Sequence, residues 1–197
     1  RPLIVYTIKQ AKASKHIDRV IVSTDCQKTA VIAKANKAEV PFIRPKRLAT
    51  DKSSIIDVLL HAMDWIEEKD KYNFDILVLL HVTNPLRQTQ DIDNSIRLLF
   101  KQDTDNVFSV TKAHRNPYFN MVALDEKGYA RLVIQPEKPV YRRQAAPRVF
   151  DVATVAYAAR PEFVMSAKSM FEGKVKAVVI PAERAVDIDT ELDLKFA

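Results

Sequence analysis

Apolar positions recur along this chain in two patterns, which together predict alternating helices and strands. Ile55, Val58, Leu59, Ala62 and Ile66 are spaced three and four apart, as on one face of an amphipathic helix. Short continuous apolar runs such as 76–80 are typical of strands buried on both faces. Helices are predicted over 3–14, 27–35 and 55–66, around 92–99 and after 190; strands are predicted over 19–25, 39–43, 75–80, 106–110, 152–158 and 175–180.

The order of these elements predicts the fold class. Alternation of strands and helices is typical of α/β proteins, in which right-handed crossovers place helices on the faces of a parallel sheet. We therefore expect a Rossmann-like, mixed and mostly parallel sheet with flanking helices. The strand over 75–80 should be central, because its run is apolar on both faces.

Residues 111–150 interrupt this alternation. Helical periodicity stops there, and basic residues cluster over 138–148. Prolines occur at Pro117, Pro136, Pro139 and Pro147. Because such a segment does not complete a core alone, we expect an extended arm or β excursion that makes subunit contacts and closes over a ligand.

The composition limits the class of protein. A length of 197 residues suits a single domain over 1–197 that contains the arm, and 47% hydrophobic with 28% charged residues is typical of a globular protein. No apolar run approaches the ~20 residues that span a bilayer, so no membrane association is expected. A single cysteine, Cys26, excludes an intrachain disulfide and favours the cytoplasm. The net charge of +6 suits nucleic acid, acidic lipid or a nucleoside triphosphate.

The glycine content points to a further segment. Gly128 and Gly173 are the two glycines of the chain, whereas α/β proteins that bind phosphate normally place glycines in a loop at a helix N-terminus. We expect an N-terminal strand and a Gly-rich loop to precede Arg1.

Polar residues stand at the predicted carboxyl ends of several strands, where open α/β sheets bind ligands. They are Thr24, Asp25, Arg44, His81, Thr83, Asp187 and Asp189. If 186–189 ends a strand, Asp187 and Asp189 project to the same side and offer two carboxylates to Mg²⁺. The alternative is structural, since Thr190 and Asp193 form a capping-box pattern and the same tripeptide recurs at 91–93 in an ordinary helix.

Other chemistries are less well supported. The four histidines lack zinc-ligand spacing, no Gly-x-Ser-x-Gly elbow occurs, and Cys26 is expected to be a small buried side chain rather than a nucleophile. The basic run 138–148 lacks the interleaved aromatic residues of a stacking surface, so no nucleic-acid partner is expected.

Six motifs in order resemble the acylneuraminate (sialic-acid class) cytidylyltransferases over essentially the whole chain. They are Arg1-Pro2-Leu3-Ile4-Val5-Tyr6-Thr7-Ile8, Val20-Ile21-Val22-Ser23-Thr24-Asp25, Val40-Pro41-Phe42-Ile43-Arg44-Pro45 with Leu48-Ala49 and Asp51, Leu79-Leu80-His81-Val82-Thr83-Asn84-Pro85-Leu86-Arg87, Arg142-Arg143-Gln144, and Val186-Asp187-Ile188-Asp189-Thr190-Glu191-Leu192-Asp193-Leu194. The KDO cytidylyltransferases are a poorer match, because residues 81–86 replace their Gln-Gly-Asp-Glu-Pro element.

The resemblance implies the nucleotide-diphospho-sugar transferase type of fold and an Mg²⁺-dependent transfer of CMP from CTP to the anomeric hydroxyl of a sialic-acid-like nonulosonic acid. Asp187 and Asp189 match the family's catalytic metal carboxylates. The resemblance places Arg44, Ser53, Ser54 and His81 at the nucleotide, and His81, Thr83, Arg143 and Gln144 at the sugar. It also implies a homodimer formed through the 111–150 arm.

The chain departs from the family pattern at two places. His81 stands where the family usually has glutamine, and 151–154 replaces the commoner Arg-Pro-Asn-Gly, so the sugar stays open. Two alternatives also stay open: a non-catalytic or regulatory nucleotide-binding relative, and a nucleotidyltransferase that uses another sugar or nucleotide.

Overall fold

A mixed sheet with helices on both faces forms the centre of the protein. A computed structural model describes residues 1–101 and 103–197. The helices are α1 (Leu3–Ala13), α2 (Gln27–Ala35), α3 (Ile55–Trp65), α4 (Thr89–Lys101), α5 (Pro161–Ser166) and α6 (Glu191–Phe196). The strands are β1 (Leu77–Leu79), β2 (Asn106–Lys112), β3 (Val122–Leu124), β4 (Ala130–Leu132), β5 (Phe150–Ala159) and β6 (Val175–Val179).

The sheet confirms the predicted fold class. Within the described residues its strand order is β1-β5-β2-β6. Strand β5 is antiparallel to both β1 and β2, and β2 is parallel to β6, so β1, β2 and β6 run in the same direction. None of the described helices is long and apolar enough to cross a bilayer.

Helix α4 covers one face of the sheet, as its periodicity predicts. Ile92, Ile96 and Leu99 are buried against Val107 and Ala158. On the opposite face, α3 and α5 pack around Ala159 through Leu59, Met63, Phe163 and Val164. Ala158 and Ala159 therefore pack on opposite faces of the sheet, as the alternation of side chains along a strand requires. Each fully buried aliphatic side chain contributes roughly 1.5–3 kcal/mol of transfer free energy.

The prediction that the strand over 75–80 is central is wrong. Strand β1 is at the end of the sheet and pairs with β5 on one side, while residues 76–80 are half-buried. Its other side faces a groove of about 550 Å³ that is also lined by residues 16–23 and by α1 and α3. An apolar run indicates that both faces of a strand are covered. It does not indicate whether the strand pairs with other strands on one side or on both.

Three other strand predictions also need correction. Segments 19–25 and 39–43 run parallel but share a single bridge, Ile21 with Glu39, within the described chain. The predicted strand end at 186–189 is not a strand, because β6 ends at Val179 and a short 3₁₀ turn, Ala182–Arg184, follows. Residues 186–189 are instead held by individual hydrogen bonds to the loop after β1.

Strand β5 contains a bulge of three residues, 154–156. Tyr157 is opposite Phe108, but Ala153 is opposite the next residue, Ser109, so 154–156 have no ladder partner on β2. Bulges redirect side chains and occur often beside active sites. This one pushes Thr154 out of the regular ladder.

The arm, residues 111–150, carries its own small sheet. Strands β3 and β4 pair antiparallel across a turn in which Asp125 Oδ1 accepts the backbone N–H groups of Lys127 and Tyr129, each at 2.9 Å. Gly128 has φ +84°, a conformation that glycine adopts without steric cost. Both strands are largely exposed to solvent.

Candidate active site

The loop that follows β1 is organised around a buried arginine. Arg87 is 2% exposed. Its Nε donates to Asn84 O at 3.1 Å, its Nη1 to Val155 O at 2.6 Å, and its Nη2 to His81 O. Burial lowers the pKa of Arg87 to about 10, against the opposing attraction of Asp187 and Asp91. The guanidinium thus fixes the 81–87 loop to the bulge of β5.

Two hydrogen bonds tie this loop to the segment that carries Asp187. Asn84, which is fully buried, donates from Nδ2 to Val186 O at 2.8 Å. The backbone N–H of Ile188 donates to Thr83 O at 2.9 Å. Because the two bonds flank Asp187, they set its position relative to the loop.

The Asp187 carboxylate has two different oxygens. Oδ2 accepts from Thr154 Oγ1 at 2.6 Å. Oδ1 is buried and has no hydrogen-bond partner in the described part of the chain. A buried carboxylate oxygen without a donor is costly unless a cation or another ligand satisfies it. Asp187 therefore fits the role of a metal ligand.

Asp189 has a different environment. Its side chain is exposed, and its backbone N–H donates to Asp193 Oδ2 at 3.2 Å. Thr190 caps α6, and the reciprocal Thr190–Asp193 capping box predicted from the sequence is confirmed. No group of three or more His, Cys, Asp or Glu side chains among the described residues is placed to hold a metal. One or two carboxylates suffice for Mg²⁺, which completes its shell with water and phosphate oxygens.

An ion pair with a buried carboxylate anchors the turn that precedes Asp187. Arg184 Nη2 donates to Asp91 Oδ1 at 2.9 Å, and Asp91 is 1% exposed. The other oxygen of Asp91 accepts the backbone N–H of Gln88 at 2.9 Å. The acidic tripeptide at 91–93, which looked like an ordinary helix start, thus also connects α4 to the site.

His81 and Tyr157 form an aromatic wall beside Asp187. Their ring centroids are 5.8 Å apart, and Phe108 is 6.3 Å from Tyr157. Burial lowers the pKa of His81, while Asp187 acts in the opposite direction. Burial and the charge of Asp187 both raise the pKa of Tyr157. At neutral pH His81 is an uncharged imidazole that offers one donor and one acceptor.

Three nucleotide-contact candidates precede β1, and they differ in whether their side chains already have hydrogen-bond partners. Arg44 donates its backbone N–H to Thr24 O at 2.9 Å, and its buried Nε has no partner among the described residues. Arg44 and His81 line the same groove. Ser53 Oγ bonds within its own turn, to Thr50 Oγ1 at 2.9 Å, and Ser54 caps α3 by accepting from Ile56 N at 3.2 Å.

The two sugar-contact candidates of the arm are exposed. Arg143 and Gln144 belong to a 3₁₀ turn, Arg143–Ala145. Arg143 Nη2 donates to His114 O at 2.6 Å, so it links two parts of the arm.

Asn84, Arg87, Asp91, Thr154, Tyr157 and Arg184 are site residues that the sequence did not single out. Asn84 and Arg87 lie inside the 79–87 motif that the sequence analysis identified, so that motif could have pointed to them. The other four come from three distant segments. The sequence marked Asp91 only within the repeated tripeptide 91–93 and Thr154 only within the departure 151–154, and it assigned neither a role in the site.

Two solved structures share this fold. CMP:2-keto-3-deoxy-manno-octonic acid synthetase in complex with CTP matches with a TM-score of 0.71 and 16% identity, covering 100% of this chain and 86% of that chain. 4-Diphosphocytidyl-2C-methyl-D-erythritol synthase from Anaerococcus prevotii matches with a TM-score of 0.67 and 13% identity, covering 100% and 84%. At these identities the likeness establishes the fold alone.

Sequence comparison identifies the family. The family model described as cytidylyltransferase matches residues 1–190. Flagellin modification protein B from Campylobacter coli and CMP-N,N'-diacetyllegionaminic acid synthase from Campylobacter jejuni are each 32% identical over 194 residues, covering 98% of this chain and 81% of theirs. An N-acylneuraminate cytidylyltransferase from Streptococcus agalactiae is 28% identical over 98% of this chain and 45% of its own. The chain belongs to the cytidylyltransferase family.

Proposed function

We propose that this cytidylyltransferase transfers CMP from CTP to the anomeric hydroxyl of a sialic-acid-like nonulosonic acid. Relatives named as legionaminic acid and N-acylneuraminate enzymes support this substrate class. The observation that carries the site assignment is the buried Asp187 Oδ1, which has no donor among residues 1–101 and 103–197 and lies between the 81–87 loop and β5.

The reaction exchanges one phosphorus–oxygen bond for another. The anomeric oxygen attacks the α-phosphorus of CTP, the bond to the bridging oxygen of the β-phosphate breaks, and pyrophosphate leaves with that electron pair. The hydroxyl proton passes to solvent or to a nearby base. Such a transfer depends on in-line positioning and on neutralising phosphate charge more than on covalent participation of the protein.

Mg²⁺ is the proposed cofactor, with Asp187 and Asp189 as its protein ligands. Bound there, it would neutralise phosphate charge and orient the leaving group. The oxygens available to it are Asp187 Oδ1, which no described residue pairs, and the exposed carboxylate of Asp189.

The remaining substrate contacts are also proposals. Arg44 is the best-supported nucleotide contact, because its buried Nε lacks a partner among the described residues. The hydroxyls of Ser53 and Ser54 have partners within the protein and would have to exchange them for nucleotide. His81 lies beside Asp187 and suits either substrate, while Thr83, Arg143 and Gln144 are assigned to the sugar by family resemblance.

The test compares Asp187→Asn with Asp189→Asn in the full-length enzyme. We expect each to lower pyrophosphate release from CTP and a matching nonulosonic acid by at least about 100-fold, because each loses a charged metal ligand. Melting temperatures should change little. The matched control is Asp193→Asn, which alters the neighbouring cap and should retain substantial turnover.

Full activity in Asp187→Asn would contradict the assigned metal site. A folded wild-type enzyme that uses none of a panel of nonulosonic acids, and is stabilised by UTP or GTP but not CTP, would contradict the substrate class.

We also propose that the enzyme is a homodimer formed through the arm. The arm exposes several apolar side chains that its small sheet leaves uncovered. They are Met121, Val122, Leu124, Tyr129, Val133 and Tyr141. Exposed apolar clusters of this kind are typical of interaction surfaces.

Sedimentation of the double variant Val122→Asp/Leu124→Asp tests the dimer, with Val31→Asp, an exposed valine on α2, as the control. We expect the arm variant to become monomeric and the control to stay dimeric. A monomeric wild type at micromolar concentration would contradict the proposal.

A further inference from the structure

The bulge in β5 is held from two sides. Ser109 Oγ donates to Ala156 O at 3.0 Å and accepts from Ala156 N at 3.2 Å. Arg87 Nη1 donates to Val155 O at 2.6 Å. Ser109 and Arg87 are both buried, so the backbone at 154–156 is fixed by interior groups. The direction of the Thr154 side chain is therefore built into the fold.

The Thr154 hydroxyl has one proton to donate and lies within hydrogen-bond distance of two acceptors. Asn84 Oδ1 is 2.7 Å from Thr154 Oγ1, and Asp187 Oδ2 is 2.6 Å from it. The Asn84 amide is oriented by its donation to Val186 O, which leaves Oδ1 directed at the hydroxyl. A hydroxyl has one hydrogen, and a charged carboxylate is the stronger acceptor. The three oxygens thus share one proton. They lie beside Asp187 Oδ1, which has no partner in the described chain, and such a set of acceptors suits a cation.

We propose that Thr154 is a positioning residue for Asp187: its hydroxyl holds Oδ2 and so presents Oδ1 to the metal. The inference rests on the proposed Mg²⁺ site. The last torsion of an aspartate side chain is broad, so a carboxylate without this donor would rotate between orientations. Partners that orient metal ligands in this way typically change metal affinity by about 10–100-fold when removed.

Thr154→Val is the informative variant, because it replaces the hydroxyl with a methyl group of similar size. Thr154→Ser keeps the hydroxyl and is the matched control. We would titrate Mn²⁺ into each full-length enzyme in the presence of CTP and follow free Mn²⁺ by electron paramagnetic resonance. Thr154→Val should weaken Mn²⁺ binding about 10–100-fold, whereas Thr154→Ser should stay within about threefold of wild type.

Steady-state kinetics give a second readout. In Thr154→Val the apparent KM for Mg²⁺ should rise while kcat at saturating Mg²⁺ falls by only a few-fold. A role in folding alone would lower the active fraction and leave the KM for Mg²⁺ unchanged. If Thr154→Val does not fold, Thr154→Ala takes its place with the same expectations.

The outcomes separate this inference from the function on which it rests. Equal Mn²⁺ binding by wild type and Asp187→Asn overturns the metal site itself. Loss of binding in Asp187→Asn, with wild-type binding in the Thr154 variant that lacks the hydroxyl, overturns only the positioning role. A weakened Thr154→Ser that matches Thr154→Val would also overturn it, since the hydroxyl would then not be the determining group.

Discussion

The site around Asp187 and the arm differ in where their hydrogen bonds lead. In the site, side chains bond to backbone far away in sequence, as with Asn84 to Val186, 102 residues apart. In the arm, polar side chains bond to the arm itself, as with Arg143 to His114 and Asp125 to Tyr129. The site is thus fixed by several segments of the domain, whereas the arm is fixed mainly by its own turns.

Burial makes the same kind of contact differ in energy between the two regions. Arg87 and Arg143 both donate to backbone carbonyls, but Arg87 is buried and Arg143 is exposed. A buried carbonyl that loses its donor costs about 1–3 kcal/mol, while an exposed one exchanges its donor for water. Loss of a contact should therefore cost more stability in the site than in the arm.

Replacement of the two arginines should give the largest contrast. Arg87→Met removes donors from three carbonyls, those of His81, Asn84 and Val155. We expect a loss of about 3 kcal/mol or more in the free energy of unfolding, because the carbonyls stay buried. Arg143→Met should change it by less than about 0.5 kcal/mol. Denaturant unfolding followed by circular dichroism measures both.

Arg87→Lys makes the comparison sharper. Lysine keeps the charge but cannot reproduce the planar fork that reaches three acceptors, so it should recover only part of the loss. Equal stability losses in Arg87→Met and Arg143→Met would show that burial does not separate the two regions.

Much of this fold could be predicted because its signals are local. The three- and four-residue spacing of α3 and α4 and the Thr190–Asp193 capping box each reflect neighbours within a few positions of the chain. The bounds of α2 agree with the prediction at both ends. Patterns of this kind need no knowledge of tertiary contacts.

The features that could not be predicted depend on distant partners. Asp187 and Asp189 look equivalent in sequence, yet Asp187 is half-buried and bonded to Thr154, whereas Asp189 is exposed. The bulge of β5 depends on Ser109, which is 47 residues from Ala156. Likewise, Asp91 shows the same local pattern whether or not Arg184 reaches it.

The pH dependence of stability should also differ between the site and the arm, although the expected effect is smaller. Burial lowers the pKa of His81 below its value in the unfolded chain, about 6.5. The folded state therefore binds fewer protons than the unfolded state between the lowered pKa and about pH 6.5. The contribution of neutral His81 is fully present above that window and is lost as the pH falls through it. Wild type should lose stability between pH 7.5 and 5.5.

His81→Gln should reduce that loss, because glutamine does not titrate and can still offer a donor and an acceptor. His114→Gln in the arm is the matched control, and it should retain the wild-type loss because the exposed ring of His114 is free of the burial that acts on His81. Unfolding midpoints measured with EDTA present remove any contribution from metal binding. If both variants lost stability as steeply as wild type, the acid sensitivity would come from groups other than His81. A reduction in His114→Gln alone would place it in the arm and reverse the contrast between the two regions.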